Sequence, residues 1–216
     1  MKILGINVSP YVRKALCVAE AKGLDYEHDP QMPGSDDPVF RAASPLGKVP
    51  GLIDGQLQVS DSSVICEYLE EKHPEVRMLP ATPEQRARAR WYDEYGDTKV
   101  IEAFSPFFFE RFAKKLFGDD SGPDEARLEK VATEIAPPIL SYLESQVPES
   151  GFLFGDALYI ADISLISPMV NGSYGGYEFD AAAYPRTATY RDRVLAHPAM
   201  ARVLATEAEL MKAMAG

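Results

Sequence analysis

Basic residues, histidine and cysteine are all scarce in this chain, and each scarcity closes off a class of function. There are 22 Lys and Arg against 33 Asp and Glu, a net charge of −11. A nucleic-acid partner needs clustered cations to neutralise phosphates, so none is expected. The acidic balance speaks to solubility rather than to mechanism. The histidines are His28, His73 and His197, and the last two precede prolines at segment boundaries. None is poised to take a serine proton as a hydrolase requires, and no His/Cys spacing suits a metal. Of the two cysteines, Cys17 and Cys66, neither lies in a CxxC. A disulfide framework is therefore not expected, and a reducing cytoplasm fits. No apolar run approaches the roughly 20 residues that span a bilayer. The opening Met1-Lys2-Ile3-Leu4-Gly5-Ile6 gives no signal segment, so no membrane partner is expected. Phosphate-binding glycine motifs and internal repeats are absent as well.

What is present is an ordinary globular composition, 46% hydrophobic and 25% charged over 216 residues, enough for one large domain or two small ones. Residues 2 to 6 read as a short buried strand. Ser9 and Pro10 suit an N-cap and first helical position, Val12, Ala15, Leu16 and Ala19 keep helical spacing, and Gly23 stops the run. Leu24 to Asp29 read as a second strand, followed by a Pro-, Gly- and Asp-rich loop. Asp54-Gly55 between two apolar stretches signals a hairpin. Asp61 opens a further helix that His73-Pro74 ends. The order β-α-β-α-β-β-α over residues 1–78 is that of a thioredoxin-like α/β domain, with a parallel pair made by a right-handed crossover. After a linker at 79–85, residues 86–216 carry helical periodicity throughout and predict an all-α bundle of about five helices. Pro106 inside the first of these predicts a kink or an early end.

Three stretches carry candidate chemistry. Ser9 at a helix start is on its own most simply a cap, yet a hydroxyl beside a helix dipole can also donate to an anion such as a thiolate. Pro50 before the third strand is by base rate trans, but at this place in a thioredoxin-like domain a cis-proline turns the preceding backbone toward a substrate. Asp61-Ser62 is either an ordinary cap or a carboxylate and hydroxyl aimed at an amino-acid zwitterion.

Their order and spacing resemble the glutathione transferase superfamily. The resemblance rests on Ser9-Pro10-Tyr11-Val12-Arg13-Lys14, on Ser44-Pro45-Leu46-Gly47-Lys48-Val49-Pro50, on Asp61-Ser62-Ser63-Val64-Ile65-Cys66-Glu67-Tyr68-Leu69, and on Gly155 with Ile160-Ala161-Asp162-Ile163. It implies a glutathione transferase fold and glutathione as co-substrate. Ser9 would contact the sulfur, Lys48 the glycyl carboxylate, and Val49 the cysteinyl unit through its backbone ahead of cis-Pro50. Asp61 and Ser62 would hold the γ-glutamyl end, Asp61 standing where the family more often has glutamate. Tyr159 stands where the family has the Ser or Thr of a capping box, and cannot supply that short cap, so Asp162 is expected to be structural. Ser9-Pro10-Tyr11 looks like a serine-type, tau- and omega-like bacterial relative, and the Ser-rich, Cys-containing signature of maleylacetoacetate isomerases is absent.

Phe104, Phe108 and Phe112 recur at helical spacing. Such a stripe is most often core; in this family the segment faces the glutathione site, so Phe104 and Phe108, with Tyr11, are candidates for the wall of an apolar electrophile pocket. The resemblance further implies a homodimer and a detoxifying conjugation. Its alternatives are a glutathione-dependent peroxidase or isomerase, and a scaffold that has lost its chemistry.

Overall fold

The computed structural model describes residues 1–215, with side chains through Lys212. The chain divides into two compact units, one of Met1–Arg86 together with the chain from Ala196 onward, the other of Ala87–Leu195.

The first unit is built on a four-stranded sheet. Its strands are β1 (Lys2–Leu4), β2 (Glu27–Asp29), β3 (Gly51–Asp54) and β4 (Leu57–Ser60), in the spatial order β2-β1-β3-β4. Helix α1 (Pro10–Ala21) carries the chain from β1 to its parallel neighbour β2, and β1–β3 and β3–β4 are antiparallel. Gly55, at φ +61°, makes the tight turn of the β3–β4 hairpin. Short α2 (Pro38–Ala43) and α3 (Ser62–Lys72) complete the thioredoxin-like order. β1 is shorter than the expected 2–6 because Gly5, at φ +139°, leaves strand geometry. β2 likewise takes only the last residues of the expected 24–29. Ile3, Leu4, Val12, Leu16, Leu52, Ile65 and Leu69 form the core.

The end of this unit is fastened by one buried cation. Lys22 Nζ donates to Glu70 Oε2 at 2.7 Å and to the His73 and Val76 carbonyls at 2.9 and 2.6 Å. Glu70 in turn accepts from the Met78 and Leu79 amides. The last helix, α11 (Pro198–Ala215), packs on α1. The sequence reading grouped it with the helical bundle. What joins it to the sheet unit is a fully buried ion pair, Arg13–Glu207, and a contact of Cys17 Sγ with Met200 Sδ at 3.6 Å.

The second unit is helical. The chain runs without a break from Pro83 to Leu116 through α4 (Pro83–Tyr95), a π-helical turn Gly96–Val100, α5 (Ile101–Phe108), a second π turn Phe109–Ala113, and α6 (Lys114–Leu116). Next come α7 (Glu125–Lys130), a π turn at Val131–Ile135 and α8 (Ala136–Gln146), then α9 (Ile160–Tyr174) and α10 (Pro185–Ala196). Among the described residues these make four continuous helical runs, and α11, in the sheet unit, is a fifth. Pro106 does not end its helix: α5 runs through it, with π turns before and after. α9 is buried along most of its length. It crosses its neighbours closely because they meet at glycines: a Cβ on Gly96 would stand 2.5 Å from the Ser164 carbonyl oxygen, and one on Gly175 2.3 Å from the Phe107 backbone.

Candidate functional site

Ser9 occupies the N-cap of α1 with extended backbone, φ −70° and ψ 128°. Its N–H donates to the Ile6 carbonyl at 3.1 Å and its carbonyl accepts from the Arg13 N–H at 2.9 Å. The hydroxyl makes no capping bond. Among the described residues it has no protein partner, so the simple cap reading does not describe this serine. A half-buried hydroxyl at a helix N-terminus, uncommitted within the protein, is placed to donate to a bound anion.

The second stretch is a loop shaped to present backbone. The Ser44 hydroxyl donates to the Lys48 carbonyl at 2.6 Å, and the Gly47 N–H to the Ser44 carbonyl at 2.8 Å. Gly47 is at φ +66°, and a Cβ there would lie 2.5 Å from the Arg41 guanidinium, which braces the loop through the Gly34 carbonyl at 2.8 Å. The Lys48 side chain is exposed. The Val49–Pro50 peptide is cis. Neither the N–H nor the carbonyl of Val49 has a partner among the described residues, which leaves a short edge open to an extended peptide.

Val49 is seated by a glycine that sequence reasoning passed over. A Cβ on Gly5 would stand 2.6 Å from Val12 Cγ2 and 2.9 Å from Val49 Cβ. Gly5→Ala therefore meets both a clash and an unfavourable φ. We expect it to destabilise the sheet unit by about 1–3 kcal/mol. It should also weaken binding of any extended peptide paired to the Val49 backbone roughly tenfold, about the value of one displaced backbone hydrogen bond. Urea unfolding and calorimetric titration of the variant check both, and wild-type values in both would refute the wedge.

The third stretch opens α3. Asp61 stands at φ +86°, the one non-glycine residue with positive φ among those described. Such a backbone costs on the order of 1–3 kcal/mol and tends to persist where function over-determines it. Asp61 Oδ1 accepts from the Ser63 and Val64 amides at 2.9 and 3.1 Å. Both sequence alternatives are thus compatible: one oxygen caps the helix, while Oδ2 has no partner among the described residues. Ser62 is buried at the same helix start, and Lys14, almost wholly buried, brings its ammonium to Ser63 Oγ at 3.0 Å. The helical spacing of Val12, Ala15, Leu16 and Ala19 marks one apolar face and does not by itself bury Lys14. The legible signal was Cys17 and Val18, which make α1 apolar nearly all round and leave Arg13 and Lys14 no solvent to face.

The helical unit treats its aromatic candidates unequally. Phe104 is 1% exposed. It packs edge-on against Tyr177 at 5.0 Å, and a Cβ on Gly172 would stand 2.6 Å from its ring. This is the core alternative for the stripe, and we withdraw Phe104 from the pocket wall. Phe108 is stacked on Phe112 at 5.6 Å, with Tyr174 at 6.5 Å. Tyr177 is wedged between Phe104 and Phe107, with ring centroids at 5.0 and 4.9 Å. Arg111 braces the Gly175 carbonyl at 2.8 Å and pairs with Glu125. Cys66 is buried, and burial pushes the Cys17 thiol well above its usual range, so neither is an exposed thiolate. Among the described residues no group of His, Cys, Asp or Glu gathers as metal ligands, and no helix is long and apolar enough to cross a membrane.

Two family models match the chain: the glutathione S-transferase N-terminal domain over residues 4–77 and the glutathione S-transferase C-terminal domain over 107–207. Glutathione S-transferase 3 of Zea mays is 28% identical over 211 residues, covering 95% of this chain and 93% of that protein. A zeta-class glutathione S-transferase of Euphorbia esula is 30% identical over 168 residues, covering 76% and 72%. Among solved structures, a maleylacetoacetate isomerase from Methylobacterium extorquens, with malonate and glutathione bound, is 30% identical, with a TM-score of 0.75 and coverage of 94% and 95%.

Proposed function

The chain belongs to the glutathione transferase family, and from that premise we propose that it activates the glutathione thiol at Ser9 and conjugates it to a small apolar electrophile. The observation that carries this reading is the Ser9 hydroxyl, held at a helix N-terminus with no capping bond and no partner among the described residues. Glutathione is the co-substrate. Lys48 meets its glycyl carboxylate, and the open Val49 backbone ahead of Pro50 pairs with its cysteinyl unit. Asp61 Oδ2 takes the γ-glutamyl ammonium, and Ser62 with the α3 N-terminus takes the carboxylate.

A free thiol has a pKa of about 8.5, and one hydrogen bond to a charged group is worth roughly 1.5–3 kcal/mol. At about 1.36 kcal/mol per tenfold, donation from Ser9 brings the bound thiol to about pH 7. The thiol proton leaves to solvent. The thiolate sulfur then forms a bond to the electrophilic carbon, and the displaced group departs with its electron pair. Ser9 donates throughout and is never acylated or alkylated. Tyr11, two residues after Ser9, is our candidate for contact with the electrophile. The serine-type, tau- and omega-like class, the cytoplasmic location and the two-fold dimer belong to the same reading.

The identity to the maleylacetoacetate isomerase and to the zeta-class protein favours a second reading, glutathione-dependent cis–trans isomerisation. There the thiolate adds to a conjugated double bond, the new single bond rotates, and elimination returns glutathione unconsumed. The missing Ser-rich, Cys-containing signature weighs for conjugation. Calorimetric titration with glutathione, followed by electrophiles and a cis-dienoate under glutathione assay, separates the readings. Consumption of glutathione with adduct supports conjugation, and turnover without consumption supports isomerisation. Binding without turnover identifies a scaffold, and absence of binding refutes the site.

A further inference from the structure

We infer that Glu207 and Thr206, on the last helix, are positioning residues for the Ser9 hydroxyl, acting through Arg13 and Asn7. This deepens the reading of Ser9 as the thiol donor and rests on it. With no partner among the described residues, that hydroxyl is placed by the backbone of the Ile6–Ser9 turn. Three of the turn's residues are tied down, and two of the ties lead to α11. Asn7, buried, donates from Nδ2 to Thr206 Oγ1 at 3.4 Å. Thr206 Oγ1 itself donates to the Val203 carbonyl at 2.7 Å, which fixes its rotamer and turns a lone pair to Asn7.

The second tie runs through Arg13. Its Nη2 reaches the Val8 carbonyl at 3.5 Å, and its backbone N–H holds the Ser9 carbonyl at 2.9 Å. The guanidinium is gripped by both oxygens of Glu207, Nε to Oε1 and Nη2 to Oε2, each at 2.7 Å, with both side chains fully buried. A buried guanidinium that loses its carboxylate must find other acceptors or draw in water. The Val8 carbonyl, next to Ser9, already stands 3.5 Å from Nη2. Lys48, Val49, Asp61 and Ser62 lie on other segments and are not held by this clasp.

The test measures glutathione affinity, the pKa of the bound thiol by ultraviolet absorbance, and kcat and KM, for wild type, Glu207→Gln and Thr206→Val. Glu207→Gln should raise the bound-thiol pKa by about one and lower kcat about tenfold, with the glutathione Kd within about twofold. Thr206→Val removes only the acceptor for Asn7, at an exposed position, and should move both readings two- to threefold in the same direction with an unchanged fold. If Glu207→Gln does not fold, Thr206→Val decides alone. A wild-type bound thiol that titrates like free glutathione overturns the Ser9 reading and this inference with it. A depressed wild-type thiol that stays depressed in the folded variants overturns the clasp alone. So does a Kd that rises in step with the fall in kcat, since α11 would then support the whole site rather than Ser9.

Discussion

Ser9→Ala is expected to lower kcat/KM for conjugation by about 10–100-fold while leaving the fold intact, the lost energy of one charge-assisted hydrogen bond read as rate. The stability change should be small, because the Ser9 hydroxyl makes no capping bond to lose. That separates this serine from an ordinary N-cap, whose replacement by alanine costs about 0.5–2 kcal/mol. The bound thiol should return to the pKa of free glutathione, about 8.5, so the deficit should shrink as the assay pH is raised and solvent does the deprotonation. Affinity should change little, since Lys48, Val49, Asp61 and Ser62 remain. Unchanged turnover in this variant would make another group the donor; Tyr11 and Asn7 are next to it in the chain.

The sheet unit was legible because its signals are local. Ser9-Pro10 marks a helix start, Asp54-Gly55 a hairpin and Asp61 a cap, and each fixes its own element within a few residues. The candidate site was legible for the same reason: its residues stand at element ends, where turn chemistry and function ask for the same side chains. What sequence could not supply were pairings across long separations. The apolar neighbours of Arg13 on α1 signal its burial, but nothing local names Glu207, 194 residues away, as its partner. Phe104 failed for a related reason. Helical spacing tells which residues share a face, not whether that face meets a ligand or, as here, Gly172 and Tyr177.

Asp162→Ala should cost the helical unit about 3–5 kcal/mol, among the largest effects of any single change outside the site. Its carboxylate holds the start of α9 by the acid's half of a capping box and more: Oδ2 accepts the Tyr159 N–H at 2.8 Å, and Oδ1 accepts the Leu153 N–H at 2.9 Å and the Tyr190 hydroxyl at 2.5 Å. The tyrosine is fully buried. Alanine would leave three donors without an acceptor, each worth about 1–3 kcal/mol in desolvation though not additively. The effect carries a pH signature of definite sign. Burial pushes the Asp162 carboxyl up to about 6, against the pull of its three donors, from 3.8. Between these values the folded chain holds a proton that the unfolded chain has released. The residue's contribution is therefore full below about pH 4, declines as pH rises toward 6, and stays at its lower level above that. Wild type should lose on the order of 2–3 kcal/mol across that window relative to Asp162→Ala, which cannot titrate there. Other carboxylates tilt the two curves equally: Glu110 is held low chiefly by Lys114, and Asp54 by Lys72. Their pull is opposite in sign, so the difference between the proteins, not either curve alone, reports Asp162. Urea midpoints of both at pH 4.5 and 7.5 decide it: the gap should be wider at the lower pH, and a gap that widens with rising pH would mean that the three donors outweigh burial and hold this carboxyl below its usual range.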